Sequence, residues 1–172
     1  MISNNGLISF DSSMNSKLLI GIIILLGCLT CSKVTSPPDD PTLEELLSAP
    51  EQILLEEYNL RLDTLLWRDF APMSDPEGSS LFAVTWIVET DSLTLPEWVK
   101  ASMLWVVYNG EVWNPDILAT PHTSAPPFKV QQYASGGPRW PIGVLVDAIV
   151  EIDRGKNCYL LRAHNQPIKR TD

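Results

Sequence analysis

The sequence predicts a mainly β protein in which residues 58–172 fold as a seven-stranded antiparallel sandwich. Three observations carry this expectation. Runs of period-two alternation recur along the stretch, most clearly at Leu81 to Thr90 and Val144 to Asp153. Breaks containing Gly, Pro or Asn separate the runs at fairly regular spacing. No helical-period segment lies between them, which disfavours parallel strands joined by crossover helices.

Ahead of that domain, residues 18–27 read Leu-Leu-Ile-Gly-Ile-Ile-Ile-Leu-Leu-Gly behind Lys17. The run is too short to cross a bilayer as a helix, which takes about 20 residues. A positive residue, a short apolar run and a small residue at its end mark an export signal over residues 1–27. Met14 is an alternative start that supplies a conventional Met-Asn-Ser-Lys opening.

The end of that run, Leu25-Leu26-Gly27-Cys28, resembles the lipobox of bacterial lipoproteins. The resemblance covers residues 14–31. It implies cleavage before Cys28, a diacylglyceryl group on the Cys28 sulfur and acylation of the freed amine. One acyl chain holds a protein to a membrane only marginally, so two or three make the implied anchor permanent. The membrane is then one partner and the cell envelope the implied location. Leu29, where some enteric lipoproteins carry a retention Asp, favours the outer membrane.

Residues 28–41, with Ser36-Pro37-Pro38 and Pro41, read as an extended lipidated tether. The chain of 172 residues has 12 Lys and Arg against 21 Asp and Glu, a net charge of −9. Losing residues 1–27 removes Lys17 and Asp11 together, so the mature chain keeps that charge. Asp39, Asp40, Glu44, Glu45, Glu51, Glu56 and Glu57 lie in one stretch without a Lys or Arg. Anionic lipid repels such a stretch, which favours a domain projected from the membrane. Residues 42–57 are expected to form a short acidic helical segment: Thr42 and Glu45 make a capping box, and Leu43, Leu46 and Leu47 share a face. Pro50 either interrupts the helix or begins a second one with Glu51 in its first turn, leaving Ile53 and Leu54 to dock on the main domain.

Seven strands follow. The first spans 58–69, where Leu60, Leu62, Thr64 and Leu66 alternate with Arg61, Asp63, Leu65 and Trp67. The second spans 81–90, with Phe82, Val84, Trp86 and Val88 on one face. The third spans 99–108. Asn109-Gly110, the preferred pair for a type I′ hairpin, turns it into a fourth from Glu111 to about Ile117. This hairpin pairs Tyr108 with Glu111, Val107 with Val112 and Val106 with Trp113, so Trp105 and Trp113 occupy opposite faces. A loop with Pro115, Pro121, Pro126 and Pro127 leads to a fifth strand at 128–135. The sixth, 144–153, turns Val144, Val146, Ala148, Val150 and Ile152 inward and Asp147, Glu151 and Asp153 to water. Arg154-Gly155-Lys156 then turns into a seventh at 158–163.

Trp140-Pro141-Ile142-Gly143-Val144-Leu145-Val146 resembles the corner before the sixth strand of immunoglobulin-like and fibronectin-type domains. There a large apolar residue sits three before a Gly, and a Tyr three after it bonds back to the loop. Here that position is Val146, so the corner lacks this bond. The resemblance implies an Ig-like sandwich, without the paired Cys of antibody domains, and casts Trp105 as its buried core Trp.

A pI near 4.6 and no basic cluster argue against nucleic-acid binding. Asp147 and Glu151 stand about 13 Å apart along a strand, beyond paired-acid geometry, and read as a solvated face. His122 and His164 share no metal-binding spacing, no cofactor motif is present, and no Gly-x-Ser-x-Gly turn occurs. Lipidation of Cys28 leaves Cys31 and Cys158, whose pairing stays open, with Cys158 read as a buried strand residue. The leading expectation is a non-enzymatic, lipid-anchored envelope protein whose Ig-like module binds another envelope protein through a sheet face or the 114–127 loop. The alternative is a glycan-binding module using exposed Trp98 and Trp113; an envelope hydrolase with an unrecognised site is third. Burial of the six Trp in two cores, one under the sheet and one under the helix, competes with the glycan reading.

Overall fold

The computed structural model describes residues 40–71, 75–119 and 125–172. The signal segment, Cys28, Cys31, most of the tether and His122 lie outside the described residues.

The expected capping box forms. In α1 (Leu43–Ser48) the Thr42 hydroxyl accepts from the Glu45 N–H at 3.3 Å, and the Glu45 carboxylate accepts from the Thr42 N–H at 2.7 Å. The helix ends at Ser48, with Ala49 and Pro50 behind it. Residues 52–55, expected in the helical segment, are instead strand β1 (Gln52–Leu55), paired antiparallel with the next strand. The reason is burial: in this arrangement Leu55 joins the main core and Ile53 packs against it. The turn between the two strands is Glu56-Glu57, with Glu56 at φ 57°, and carries none of the Gly or Asn that usually announces such a turn.

The remaining strands are β2 (Tyr58–Asp69), β3 (Leu81–Glu89), β4 (Ala101–Tyr108), β5 (Glu111–Trp113), β6 (Leu118–Ala119), β7 (Lys129–Gly137), β8 (Leu145–Arg154) and β9 (Asn157–Thr171). The Asn109-Gly110 hairpin has the expected register and positive φ at both turn residues, 49° and 84°. The expected fourth strand is shorter, and the chain re-enters as β6 beside β7. Nine strands thus replace the expected seven among the described residues.

They form one continuous mixed sheet, ordered β5-β4-β8-β9-β2-β3-β7-β6 with β1 beside β2. The departure from an all-antiparallel arrangement lies in β9, which continues past Ala163 to Thr171. Its first part pairs antiparallel with β8, and its last part runs parallel to β2, with Ile168 opposite Leu66. A bulge separates the two parts, where Asn165 sits at φ 54°. Asp147 holds this bulge: its Oδ1 accepts from the Asn165 N–H at 2.9 Å and lies 2.6 Å from His164 Nδ1. Asp147 is therefore tied into the bend of β9, a correction to its expected place on a solvated face.

The bend divides the sheet into two walls. The first holds β1, β2, β3, β7, β6 and the end of β9; the second holds β5, β4, β8 and the start of β9. Between them lies the main core, with Leu60, Leu66, Leu81 and Ile87 from the first wall meeting Leu104, Val106, Val150 and Leu161 from the second. At the side opposite β9, the buried Gln132 of β7 bridges the walls. Its amide accepts from the Ala101 N–H at 3.0 Å and donates to the Ala101 carbonyl at 2.8 Å, a side-chain continuation of the backbone ladder onto β4.

Trp140 lies in the main core, and its indole N–H donates to Glu111 at 2.8 Å. Arg68 fastens the segment before β8 to the end of β2. Its guanidinium, 5% exposed, donates to the carbonyls of Trp140 at 3.1 Å, Arg139 at 3.3 Å, Ser79 at 2.9 Å and Glu77 at 2.5 Å.

A second core lies on the outer face of the second wall, under α1: Leu46 and Ala49 cover Trp105, Val107 and Ile149. Trp105 is buried as expected but under the helix, not between the walls. The sheet alternation that sends Leu104 and Val106 inward sends Trp105 outward, and α1 is what removes it from water.

Acid sensitivity follows from the exposed carboxylates. The Thr42 backbone N–H, then its hydroxyl, hold Glu45 below the usual carboxylate range, and the Glu77 N–H, then Arg139, do the same for Asp75. A carboxyl depressed in the folded state contributes stability above its unfolded pKa and loses it as pH falls through the folded one. The melting temperature is therefore expected to hold at neutral pH and to fall below about pH 4, an expectation that a pH series of thermal melts checks; a flat profile down to pH 2 refutes it.

Candidate functional site

The two walls treat their outer faces differently. On the second wall, α1 covers the apolar outward side chains. On the first wall the outward side chains of β3 are as apolar, with Val84 and Val88 buried among their neighbours, and no described helix lies over them. Strand β3 explains this: Leu81, Ala83 and Ile87 face the core, while Phe82, Val84, Trp86 and Val88 face out. A strand apolar on both faces normally sits in a sheet covered on both faces.

The outward residues form an aromatic ladder across three neighbouring strands. Trp67 of β2 stacks on Phe82 of β3, with ring centroids 5.4 Å apart and planes at 16°. Phe82 meets Tyr133 of β7 at 6.2 Å and 30°. Leu118 of β6, 56% exposed, extends the row beside Tyr133, and Trp86 lies two residues along β3 with its N–H donating to Gln131 at 3.0 Å. Phe82 thus lies between the rings of Trp67 and Tyr133.

Charged groups of both signs border the ladder: Asp63, paired with Arg61 at 3.2 Å, stands opposite Trp86. Lys169 of β9 stands beside Trp67, while Arg61 and Lys129 flank Val88 on either side. At that end lies an open cleft of about 570 Å³ lined by Gln52, Arg61, Glu89, Ser92, Phe128 and Lys129 among others. Glu89 is buried, and its carboxylate accepts from the N–H groups of Leu93 at 2.7 Å and Asn59 at 3.2 Å, which assigns it to shaping the adjoining loop.

The residues singled out in the sequence are distributed differently. Trp98 is half-buried against the main core. The Arg154 guanidinium lies 4.0 Å from its ring centre, Tyr58 meets it edge-on at 6.2 Å, and Arg154 is paired in turn with Glu56. Trp113 is half-buried with its indole against Gly137 and Leu81; a Cβ on Gly137 would lie 2.8 Å from the ring. Trp113 pairs with Val106 and Val106 with Ala148, whereas Trp98 sits under Arg154 at the far end of β8. The strand rise between Ala148 and Arg154 separates the two rings by about 20 Å. They belong to different surroundings, and the ladder residues form the larger aromatic surface.

Neither a family model, nor a curated protein, nor a solved structure matches this chain.

His164 and Asp147 form a hydrogen-bonded pair, and Asn165 Nδ2 lies 2.8 Å from His164 Nε2. Both imidazole nitrogens thus have neighbours in the bulge, and no hydroxyl or thiol of the described residues lies within hydrogen-bonding distance of either. Among the described residues no cluster of three or more His, Cys, Asp or Glu is placed to hold a metal. Cys158 is exposed, a correction to its expected burial, because its side chain falls on the outer face of β9 beyond the reach of α1. Partial desolvation, with Glu151 and Asp153 beside it, pushes its pKa up, so at neutral pH it is a thiol and a poor nucleophile. Among the described residues no helix is long and apolar enough to cross a membrane.

The ladder escaped sequence reasoning although its signal was present. The alternation of β3 identifies Phe82, Val84, Trp86 and Val88 as one face, but the other face is apolar too, and periodicity alone does not say which one points at a core.

Proposed function

We propose that this is a non-enzymatic, lipid-anchored cell-envelope protein whose Ig-like module binds another envelope protein through the outer face of the first wall. The observation that carries the reading is the asymmetry of the two outer faces: one is covered by α1, and the other presents Trp67, Phe82, Trp86, Tyr133 and Leu118 with no described helix over it. Apolar patches of this kind mark interaction surfaces. The lipobox-like Leu25 to Cys28 supports the anchor, and two facing walls with the Trp140–Gly143 corner before β8 support the Ig-like assignment. A protein is favoured over a glycan because the Phe82 ring lies between Trp67 and Tyr133 and the Trp98 face is shared with Arg154.

The test is a photo-crosslinking amino acid at position 82 of the full-length protein in its own cells. A discrete adduct that disappears when the probe is moved to exposed Lys156, in the turn between β8 and β9, is expected, and the absence of any adduct at position 82 refutes the reading. Separately, Cys28→Ser is expected to abolish acyl labelling and membrane retention; persistence of both refutes the anchor.

A further inference from the structure

We infer that the occupant of the ladder is a second copy of this chain, its α1 surface seated head-to-tail on the first wall. The inference rests on the reading of the ladder as a binding face and names its partner. The two outer faces of the molecule differ in charge. The ladder offers aromatic rings flanked by Lys129 and Lys169, with Arg61 already paired to Asp63 at 3.2 Å. The α1 surface offers Leu43, 36% exposed, and half-buried Leu47 around an open apolar depression, beside exposed Glu44 and Glu51. No Lys or Arg interrupts the acidic run from residue 39 to 57. Leucines on the ladder bury apolar area, and carboxylates beside them meet lysines. Pairing two ladders about a two-fold axis instead places Lys129 and Lys169 of both copies in one interface without the α1 carboxylates. A contact between two different faces leaves a pair of copies with one ladder and one α1 surface unused, so the assembly continues into a ring or a filament. An anchor on every copy confines that assembly to the membrane plane.

The experiment uses full-length lipoprotein in detergent, as two differently tagged forms mixed after purification, with the photo-crosslinker at position 82 of one. The expected result is an adduct carrying both tags, mapped by peptide mass to residues 42–51 of the second copy. Lys129→Glu with Lys169→Glu is expected to reduce its yield about tenfold, and Glu44→Lys with Glu51→Lys on the second copy to restore it. Restoration by the reversed pair excludes misfolding as the cause of the loss. An adduct between copies that maps outside α1, or a yield insensitive to both charge reversals, overturns the inference. If the in-cell probe gives a discrete adduct with a different protein and the mixed forms give none, the second copy is overturned while the binding face stands. If neither experiment gives an adduct, both fail.

Discussion

Gln132→Leu is expected to lower the unfolding free energy by about 2–6 kcal/mol, because the buried N–H and carbonyl of Ala101 each lose their partner at about 1–3 kcal/mol. Gln132 is 7% exposed, and leucine fills nearly the same volume, so little of the loss comes from a cavity. In thermal melts the shift is about 10 °C downward for a unit of this size. Ser135→Ala, on the exposed side of the same strand, is expected to change stability by less than about 0.5 kcal/mol. A loss under about 1 kcal/mol for Gln132→Leu shows that water or a backbone shift satisfies Ala101 and that the walls need no bridge at this seam.

Arg68→Met is expected to cost about 3–5 kcal/mol, and the magnitudes decide its sign. Burying a guanidinium carries a desolvation penalty of several kcal/mol, which the substitution removes. Against this stand four carbonyls, those of Glu77, Ser79, Arg139 and Trp140, each accepting a charge-assisted bond worth about 1.5–3 kcal/mol. The bonds outweigh the penalty, and methionine replaces none of them. Arg68→Lys is expected to recover only part of the loss, since a point charge cannot reach carbonyls from two separate segments as a planar fork does. Near-UV circular dichroism separates loosening of the corner from global unfolding, because Trp140 is among the groups released. A variant as stable as the parent, with an unchanged Trp signal, refutes the fastening role.

Both residues show where sequence reading stops. Arg68 sits in a strand whose alternation is plain, at an inward position, and alternation alone gives a charged residue there no partner. Its acceptors are carbonyls 9 to 72 residues away, and a carbonyl has no sequence signature. Gln132 is likewise an inward polar residue whose partner, Ala101, is recognised by backbone alone. The candidate site was legible in part: the outward row of β3 was visible as one face, but Trp67 and Tyr133 join it only through the β2–β3 and β3–β7 registers. Attention to Trp as a residue type pointed instead to Trp98 and Trp113, whose rings are engaged elsewhere.

By itself the sequence determined the features that depend on neighbours along the chain. These are the β class, the positions of β2, β3 and β8 from period two, the Asn109-Gly110 hairpin with its register, and the Thr42–Glu45 cap. Each rests on local geometry, a pleat, a positive-φ pair or a first-turn hydrogen bond, so a short window contains all the information. Only the tertiary structure decided that β9 leaves one wall for the other at the Asp147-held bulge, that β1 joins the sheet, that Trp105 lies under α1, and that the aromatic row of β3 faces outward. Those outcomes depend on which distant surface is left to cover each apolar face. Among the described residues one short helix covers one outer side of a sheet with two apolar faces, and the other side is the one proposed to bind.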